Sequence, residues 1–275
     1  MLWEFSGNIF FLMDYFTLIY GLFIFLIGAS IGSFLNVLIY RLPLGKSIVH
    51  PRSFCPACGN RLLWYHNVPV LAWLVLRGRC AFCGEGISFR YFFVELLNGA
   101  FYLVIFLSAL PIANRVTACL LFSILLAVFF IDLAHKIIPD SLNVAILVLG
   151  LGSAWFRWHG WHGFLLAGSG ILLGLVLFLL TGLLGKWLFK KEALGGGDVK
   201  LLAALGAIIG PVGVIEVVFM SAFIGLLTTI PLSIAGKIDK VERQIPYGPF
   251  IAIAAMISFI FDEPVVRFYL SILNL

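Results

Sequence analysis

A chain of 275 residues that is 62% hydrophobic and only 11% charged, with a mean hydropathy of +1.11, carries more apolar surface than one globular core can hide. Soluble domains hold about 45–50% apolar and about 25% charged residues, so lipid is the solvent for most of this chain. The formal charge of +5 does not point to nucleic acid, because the basic residues sit in short loops between apolar runs, where they set orientation in a bilayer.

A spanning helix needs about 20 apolar residues. Apolar runs lie near 16–40, 92–110, 113–131, 141–158, 163–184, 199–210, 213–235 and 247–261, which predicts an all-α polytopic membrane protein with about eight transmembrane helices. The first run is longer than the core of a signal peptide, about 7–15 residues, and its basic flank follows it, so it reads as a retained span. Gly28 and Gly32 within it permit a close helix contact. The sixth run is too short to cross alone and is interrupted by Gly206, Gly210 and Pro211. Such a half-helix is tolerated only where protein or a water-filled cavity satisfies its free backbone groups. No tandem repeat or low-complexity segment stands out.

Orientation follows from where the cations fall. If the loop after the first span is inside and sides alternate, the inside holds Arg41, Lys46, Arg52, Arg61, Arg77, Arg79, Arg90, Lys136, Lys186, Lys190, Lys191, Lys200, Lys237, Lys240 and Arg243. Only Arg115, Arg157 and Arg267 fall outside. Cytoplasmic loops carry the excess of Lys and Arg, so the 41–91 loop is expected in the cytoplasm and both termini on the far side. The expected organisation is a first transmembrane segment over 1–40, a cytoplasmic four-cysteine module over 41–91 and a transmembrane core over 92–275.

The module contains Cys55-Pro-Ala-Cys58-Gly59 and Cys80-Ala-Phe-Cys83-Gly84, with 21 residues between the pairs. Four thiolates at this spacing are close to a zinc pattern. The glycine after each second cysteine lets the backbone curl so that amides point at sulfur. A polar loop of about 50 residues has too little core to fold alone, and a metal would fold it. Four cysteines leave no open position for water, so a zinc ion here is structural. A reducing cytoplasm argues against disulfides. His50 and His66 have no ligand-like partner and read as surface residues, and Cys119, inside an apolar run, as a small packing residue.

Hydrolytic chemistry is suggested by two stretches, Ile131-Asp132-Leu-Ala-His-Lys-Ile-Ile-Pro139-Asp140 and Gly195-Gly196-Gly197-Asp198-Val-Lys200. Both fall at the expected cytoplasmic boundary, and ionisable groups at membrane depth are functional candidates. Asp140 follows a proline at a helix start, so an N-cap is its expected role. Asp198 could cap a helix too, yet three glycines exceed what a cap needs; they would allow unusual dihedrals and close approach of a peptide backbone. Asp132 sits at a helix C-terminus, where the dipole disfavours a carboxylate. Two facing carboxylates cannot both ionise cheaply and share a proton. The expected division of labour has Asp132 as the protonated partner polarising a scissile carbonyl and Asp198 as the ionised partner activating water, with the titration belonging to the pair.

On these residues the chain resembles the bacterial type IV prepilin peptidases. The resemblance runs through Gly32-Ser-Phe-Leu-Asn36, Tyr40-Arg41-Leu-Pro43, Pro51-Arg52-Ser53 with both cysteine turns, Tyr91 with Glu95-Leu-Leu, the two aspartate stretches, and Pro246-Tyr247-Gly248-Pro249-Phe250. The Gly195-x-Gly197-Asp198 motif alone is shared with other intramembrane aspartyl proteases. The resemblance implies a catalytic pair at Asp132 and Asp198, with Gly195, Gly197, Lys200, Asp140 and Glu95 in support. Many members have a further aspartate where this chain has Ala134, which leaves Asp132 without a rival. It also implies cleavage of the short basic leaders of type IV prepilins and secretion pseudopilins at the inner membrane, followed by N-methylation from S-adenosylmethionine. No G-x-G-x-x-G between strand and helix marks a cofactor site. Glu95 and Asn36 are candidates for the methyl-donor site or for substrate positioning; an interhelical hydrogen bond is the simpler reading of both. A transporter or assembly scaffold using Asp132, Asp198 and Glu216 as ion sites is the competing class, and it predicts a site near the bilayer midplane.

Overall fold

The computed structural model describes residues 2–190, 195–234 and 246–272, with side chains for all of these except 2–14, 189, 232 and 262–272. Of the cations counted above, Lys191, Lys237, Lys240 and Arg243 lie outside the described residues, and Arg267 is described in its backbone only. The described residues form eight α-helices: α1 Leu2–Arg41, α2 Leu71–Val75, α3 Phe89–Leu107, α4 Ile112–His135, α5 Asp140–Arg157, α6 Trp161–Phe189, α7 Gly196–Ile234 and α8 Gly248–Ile272. Five of them (α1, α3, α4, α6 and α7) are long and apolar enough to cross a membrane. The expected spans near 141–158 and 247–261 correspond to the 18 residues of α5 and to a shorter apolar stretch of α8, Gly248–Phe261. Exposed Leu18, Leu165, Leu172, Leu183 and Trp187 give these helices outer faces suited to lipid, and the chain is an integral membrane protein.

The chain divides into two compact units, Met1–Arg115 and Val116–Leu275. In the first, α1 packs against α3. A Cβ added to Gly28 would come within 2.8 Å of Tyr102 Cβ, and one on Gly32 within 2.8 Å of Glu95 Cα. The two helices therefore touch backbone to backbone, as small residues allow in lipid, where helix association rests on packing and hydrogen bonds. Asn98 Nδ2 fastens the contact by donating to the Gly28 carbonyl at 2.7 Å. The helix α1 begins well before the expected boundary at 16, since no proline interrupts residues 2–15.

In the second unit α7 packs against α5, α6 and α8. Gly170 of α6 and Gly206 of α7 face each other so closely that a Cβ on either would overlap the other's carbonyl. The two runs expected over 199–210 and 213–235 are two helical segments that share the label α7, and the backbone between them breaks at Gly210 (φ 69°, ψ −177°) before Pro211. Proline cannot donate and glycine accepts a positive φ, so the interruption falls where those residues put it. The segment before the break rises about 21 Å, short of a hydrocarbon core of about 30 Å. The carbonyl of Ile208, at that break, accepts from the Arg157 guanidinium, which also lies over the rings of Trp158 and Phe259 at 5.0 and 4.3 Å. A cation at the carbonyl end of a helix is favoured by the dipole.

Candidate active site

Asp132 lies in the last turn of α4, which stops because Lys136 turns left-handed (φ 56°) and donates its N–H back to the Asp132 carbonyl at 2.8 Å. Asp198 is the third residue of α7. Both carboxyls are buried, 5% and 9% exposed, and they are near enough for their charges to interact. The acid pair expected from sequence is thus brought together from a helix C-terminus and a helix N-terminus.

Each carboxyl is held by a main-chain amide. Gly248 N–H, at the start of α8, donates to Asp132 Oδ2 at 2.9 Å. The Gly195 N–H donates to the Asp198 carboxylate, the reciprocal half of a capping box. The glycines serve approach more than unusual dihedrals: among Gly195, Gly196 and Gly197 none has a positive φ. A Cβ on Gly197 would lie 3.2 Å from Ile138 Cβ, and one on Gly248 only 2.7 Å from Asp132 Oδ2 and 3.2 Å from Ile138 Cδ1. Ile138 is the side chain these glycines admit, while Gly196 opens onto free space. Tyr247 joins the site through a 2.8 Å hydrogen bond between its hydroxyl and that of Ser221, and it feels the charge of Asp198. Neither Gly248 nor Tyr247 was assigned a role from sequence; the Pro-Tyr-Gly-Pro-Phe string was the available signal.

Asp140 does not cap α5. The cap position is Pro139, no side chain bonds there, and Asp140 is the first helical residue. Its carboxylate instead receives both bonds of Lys200 Nζ, at 2.8 and 2.9 Å, in an exposed ion pair between α5 and α7. The α5 dipole favours that carboxylate without a capping bond. Glu216 lies beyond the break in α7, where its Oε2 accepts from Ser258 at 2.8 Å.

In the first unit the four cysteines converge. The sulfurs of Cys55, Cys58, Cys80 and Cys83 lie within 4.8 Å of one another, with no disulfide among them. Each C-x-x-C turn closes alike: Gly59 N–H bonds to the Cys55 carbonyl at 2.8 Å and Gly84 N–H to the Cys80 carbonyl at 2.9 Å, both glycines left-handed (φ 72° and 74°). An offset of 25 residues relates the two turns and the bridges beside them, Phe54 to Arg61 and Arg79 to Gly86. The two turns share one local geometry although their sequences agree only at the cysteines and the glycine. Amides of Phe82 and Cys83 aimed at the Cys80 sulfur lower its thiol to about 7. At Cys83 the Glu85 amide acts in the same direction, but desolvation and the neighbouring thiols outweigh it and push the group up to about 12. Four sulfurs this close shed all their protons only around a cation, and the donor set suits a soft divalent ion. His66 is half-buried, in ring contact with Tyr65 and Phe82, and is not the surface residue expected.

Glu95 makes the expected interhelical bond, accepting from the Ser33 hydroxyl of α1, and its Oε2 also accepts the Val70 N–H of the cysteine module at 2.7 Å. Asn36 also bonds between helices, donating from Nδ2 to the Tyr91 carbonyl at 3.0 Å.

Fold and site together define an integral membrane protein with a buried acidic pair in one unit and four thiols positioned to bind a metal in the other. The chain belongs to the type IV leader peptidase family, whose description matches residues 119–230; residues 26–109 match the bacterial peptidase A24 N-terminal domain. It is 39% identical to a prepilin leader peptidase/N-methyltransferase of Myxococcus xanthus, over 86% of this chain and 71% of that one. A protein of the same name from Aeromonas salmonicida is 34% identical over 92% and 94%. One from Dichelobacter nodosus is 31% identical over 88% and 92%. No solved structure matches.

Proposed function

We propose that the chain is an aspartyl endopeptidase that removes the short basic leader of type IV prepilins and pseudopilins at the cytoplasmic face of the inner membrane. It then methylates the new N-terminus from S-adenosylmethionine. The observation that carries this reading is the buried pair Asp132 and Asp198, charges in mutual range, inside the stretch matched by the leader peptidase family. The relatives' names, which join leader peptidase to N-methyltransferase, support both activities.

The two aspartates act on one water and one carbonyl. Asp198, at a helix N-terminus, takes a proton from water as its oxygen attacks the scissile carbonyl carbon. Asp132 gives its proton to the carbonyl oxygen. Collapse of the tetrahedral adduct returns a hydroxyl proton to Asp132 and breaks the carbon–nitrogen bond, and the amine leaves with the proton now on Asp198, which restores both carboxyls. The amides of Gly248 and Gly195 orient the two carboxyls for this exchange. Cys55, Cys58, Cys80 and Cys83 hold a structural zinc ion, a role supported by their all-sulfur donor set and mutual spacing.

The membrane arrangement we favour has eight crossings, the N- and C-termini periplasmic, and the acid pair near the cytoplasmic surface, where a basic leader would remain. Support comes from the outer arginines: Arg115 donates to the Leu110 and Phe106 carbonyls at 2.7 and 3.2 Å, and Arg157 to that of Ile208. These cations serve helix ends and weigh little against the basic inner loops. The ion-site alternative is disfavoured by the leader peptidase family match and by the relatives' names.

Cleavage of a prepilin by purified wild type, Asp132→Asn, Asp198→Asn and Asp140→Asn in detergent tests the reading. Loss in the first two variants and retention in the third is expected. Cleavage surviving Asp132→Asn would remove Asp132 from the chemistry, and a well-folded wild type that cuts no prepilin would return the ion-site alternative.

A further inference from the structure

The first unit holds a cavity of about 390 Å³, lined by the last turns of α1, the cysteine module and the first turns of α3. That volume falls within the range of small-molecule sites, about 300–1,000 Å³. Its polar groups are unusual for a merely structural void. Asn36 is 2% exposed, and its Nδ2 bond to the Tyr91 carbonyl fixes which way the amide faces, leaving Oδ1 buried with no partner. An orphaned buried acceptor is costly. Arg41, 6% exposed, donates to the carbonyls of Ser47 and Pro51 at 2.9 and 2.7 Å. No carboxylate stands within ion-pair distance of it among the described residues. A buried guanidinium without a counter-charge is uncompensated. Glu95 accepts from the Val70 amide and from the Ser33 hydroxyl, which leaves lone pairs of the carboxylate free. Trp73 and Tyr91 supply aromatic wall.

A ligand that answers all of these has a carboxylate, a cationic centre, N–H donors and a flat ring. An S-adenosyl methyl donor has each. We propose that this cavity is the methyl-donor pocket, with Arg41 taking the donor's carboxylate, Glu95 facing its positive centres and Asn36 Oδ1 accepting an N–H. The inference rests on the methylation reading above and adds its location. Every one of these residues lies within 26–109, apart from the stretch that carries the acid pair. Methyl transfer makes a bond from the methyl carbon to the new α-amino nitrogen as the carbon–sulfur bond breaks; the electron pair stays on sulfur and the ammonium proton passes to solvent. The pocket is assembled from two helix ends and a metal-folded loop, so no contiguous glycine motif marks it.

The test is direct photolabelling of the full-length, metal-loaded wild type in detergent with tritiated S-adenosylmethionine, followed by peptide mapping. Calorimetric binding of S-adenosylhomocysteine to Asn36→Leu and Glu95→Gln accompanies it, with thermal melting and zinc content as fold controls. Label is expected between residues 33 and 95, with affinity in each variant weaker by about tenfold or more. Label within residues 116–275, or wild-type affinity in both variants, overturns the pocket and leaves the methylation reading standing. An unlabelled wild type also overturns it: if a cleaved substrate is still methylated only the pocket falls, and if it is not, the methylation reading falls with it.

Discussion

The main-chain N–H of Gly248 donates to Asp132 Oδ2 at 2.9 Å, joining residues 116 positions apart. The amide reaches the carboxyl because nothing projects from Gly248: a Cβ there would sit 2.7 Å from the same oxygen, and Ile138 closes the other side. Gly248→Ala is therefore expected to displace Asp132 and lower kcat/KM for leader cleavage by about 100-fold, the scale of a 1 Å misplacement in an active site. Thermal melting of the variant should stay near wild type. Cleavage unchanged in Gly248→Ala would mean that this hydrogen bond does not position the acid.

The Asp140–Lys200 pair is 68% and 58% exposed. Exposed ion pairs are worth about 0.2–1 kcal/mol, so a double-mutant cycle over Asp140→Asn and Lys200→Met should return a coupling in that range that shrinks with added salt. Cleavage should change by less than about fivefold in either single variant. A loss from Asp140→Asn as complete as that from Asp132→Asn would give the pair a part in the chemistry.

Gly206 meets Gly170 across the α6–α7 contact with no room for a methyl group. Gly206→Val forces the helices apart and should cost on the order of 1–3 kcal/mol, read as a lower melting temperature of the detergent-solubilised protein. A melting temperature equal to wild type would show that the contact is looser than the structure has it.

Metal analysis of the purified chain should return about one zinc per chain. Cys80→Ser or Cys83→Ser should bring that to background, since three thiolates and a hydroxyl no longer close a structural site. Retention of zinc in Cys83→Ser with loss in Cys80→Ser would point to a site of fewer ligands.

Much of this was legible because it is local. Hydropathy placed the apolar runs, Gly210 and Pro211 marked the break in α7, and two C-x-x-C turns with their glycines marked the four cysteines that converge. Asp132 at a helix end and Asp198 after three glycines stood out by having no comfortable structural role. What escaped was non-local. The partner of Asp140 is 60 residues away, so a proline before a helix suggested a cap where there is an ion pair. The amide on Asp132 comes from α8, and no side-chain pattern announces a backbone donor. Glu95 reads from sequence as an interhelical bond, which Ser33 of α1 supplies, but its second bond, from the Val70 amide 25 residues away, has no local signal.

The 25-residue offset inside the cysteine module has a consequence for how that module can fail. Each turn offers two sulfurs, and two ligands do not hold a structural zinc ion. The halves have the same geometry and cannot substitute for one another, because each would complete the other's coordination sphere. Damage to either knuckle is thus shared by both, and the loop over 53–86 is present whole or absent whole, a single latch made from two hooks of one shape.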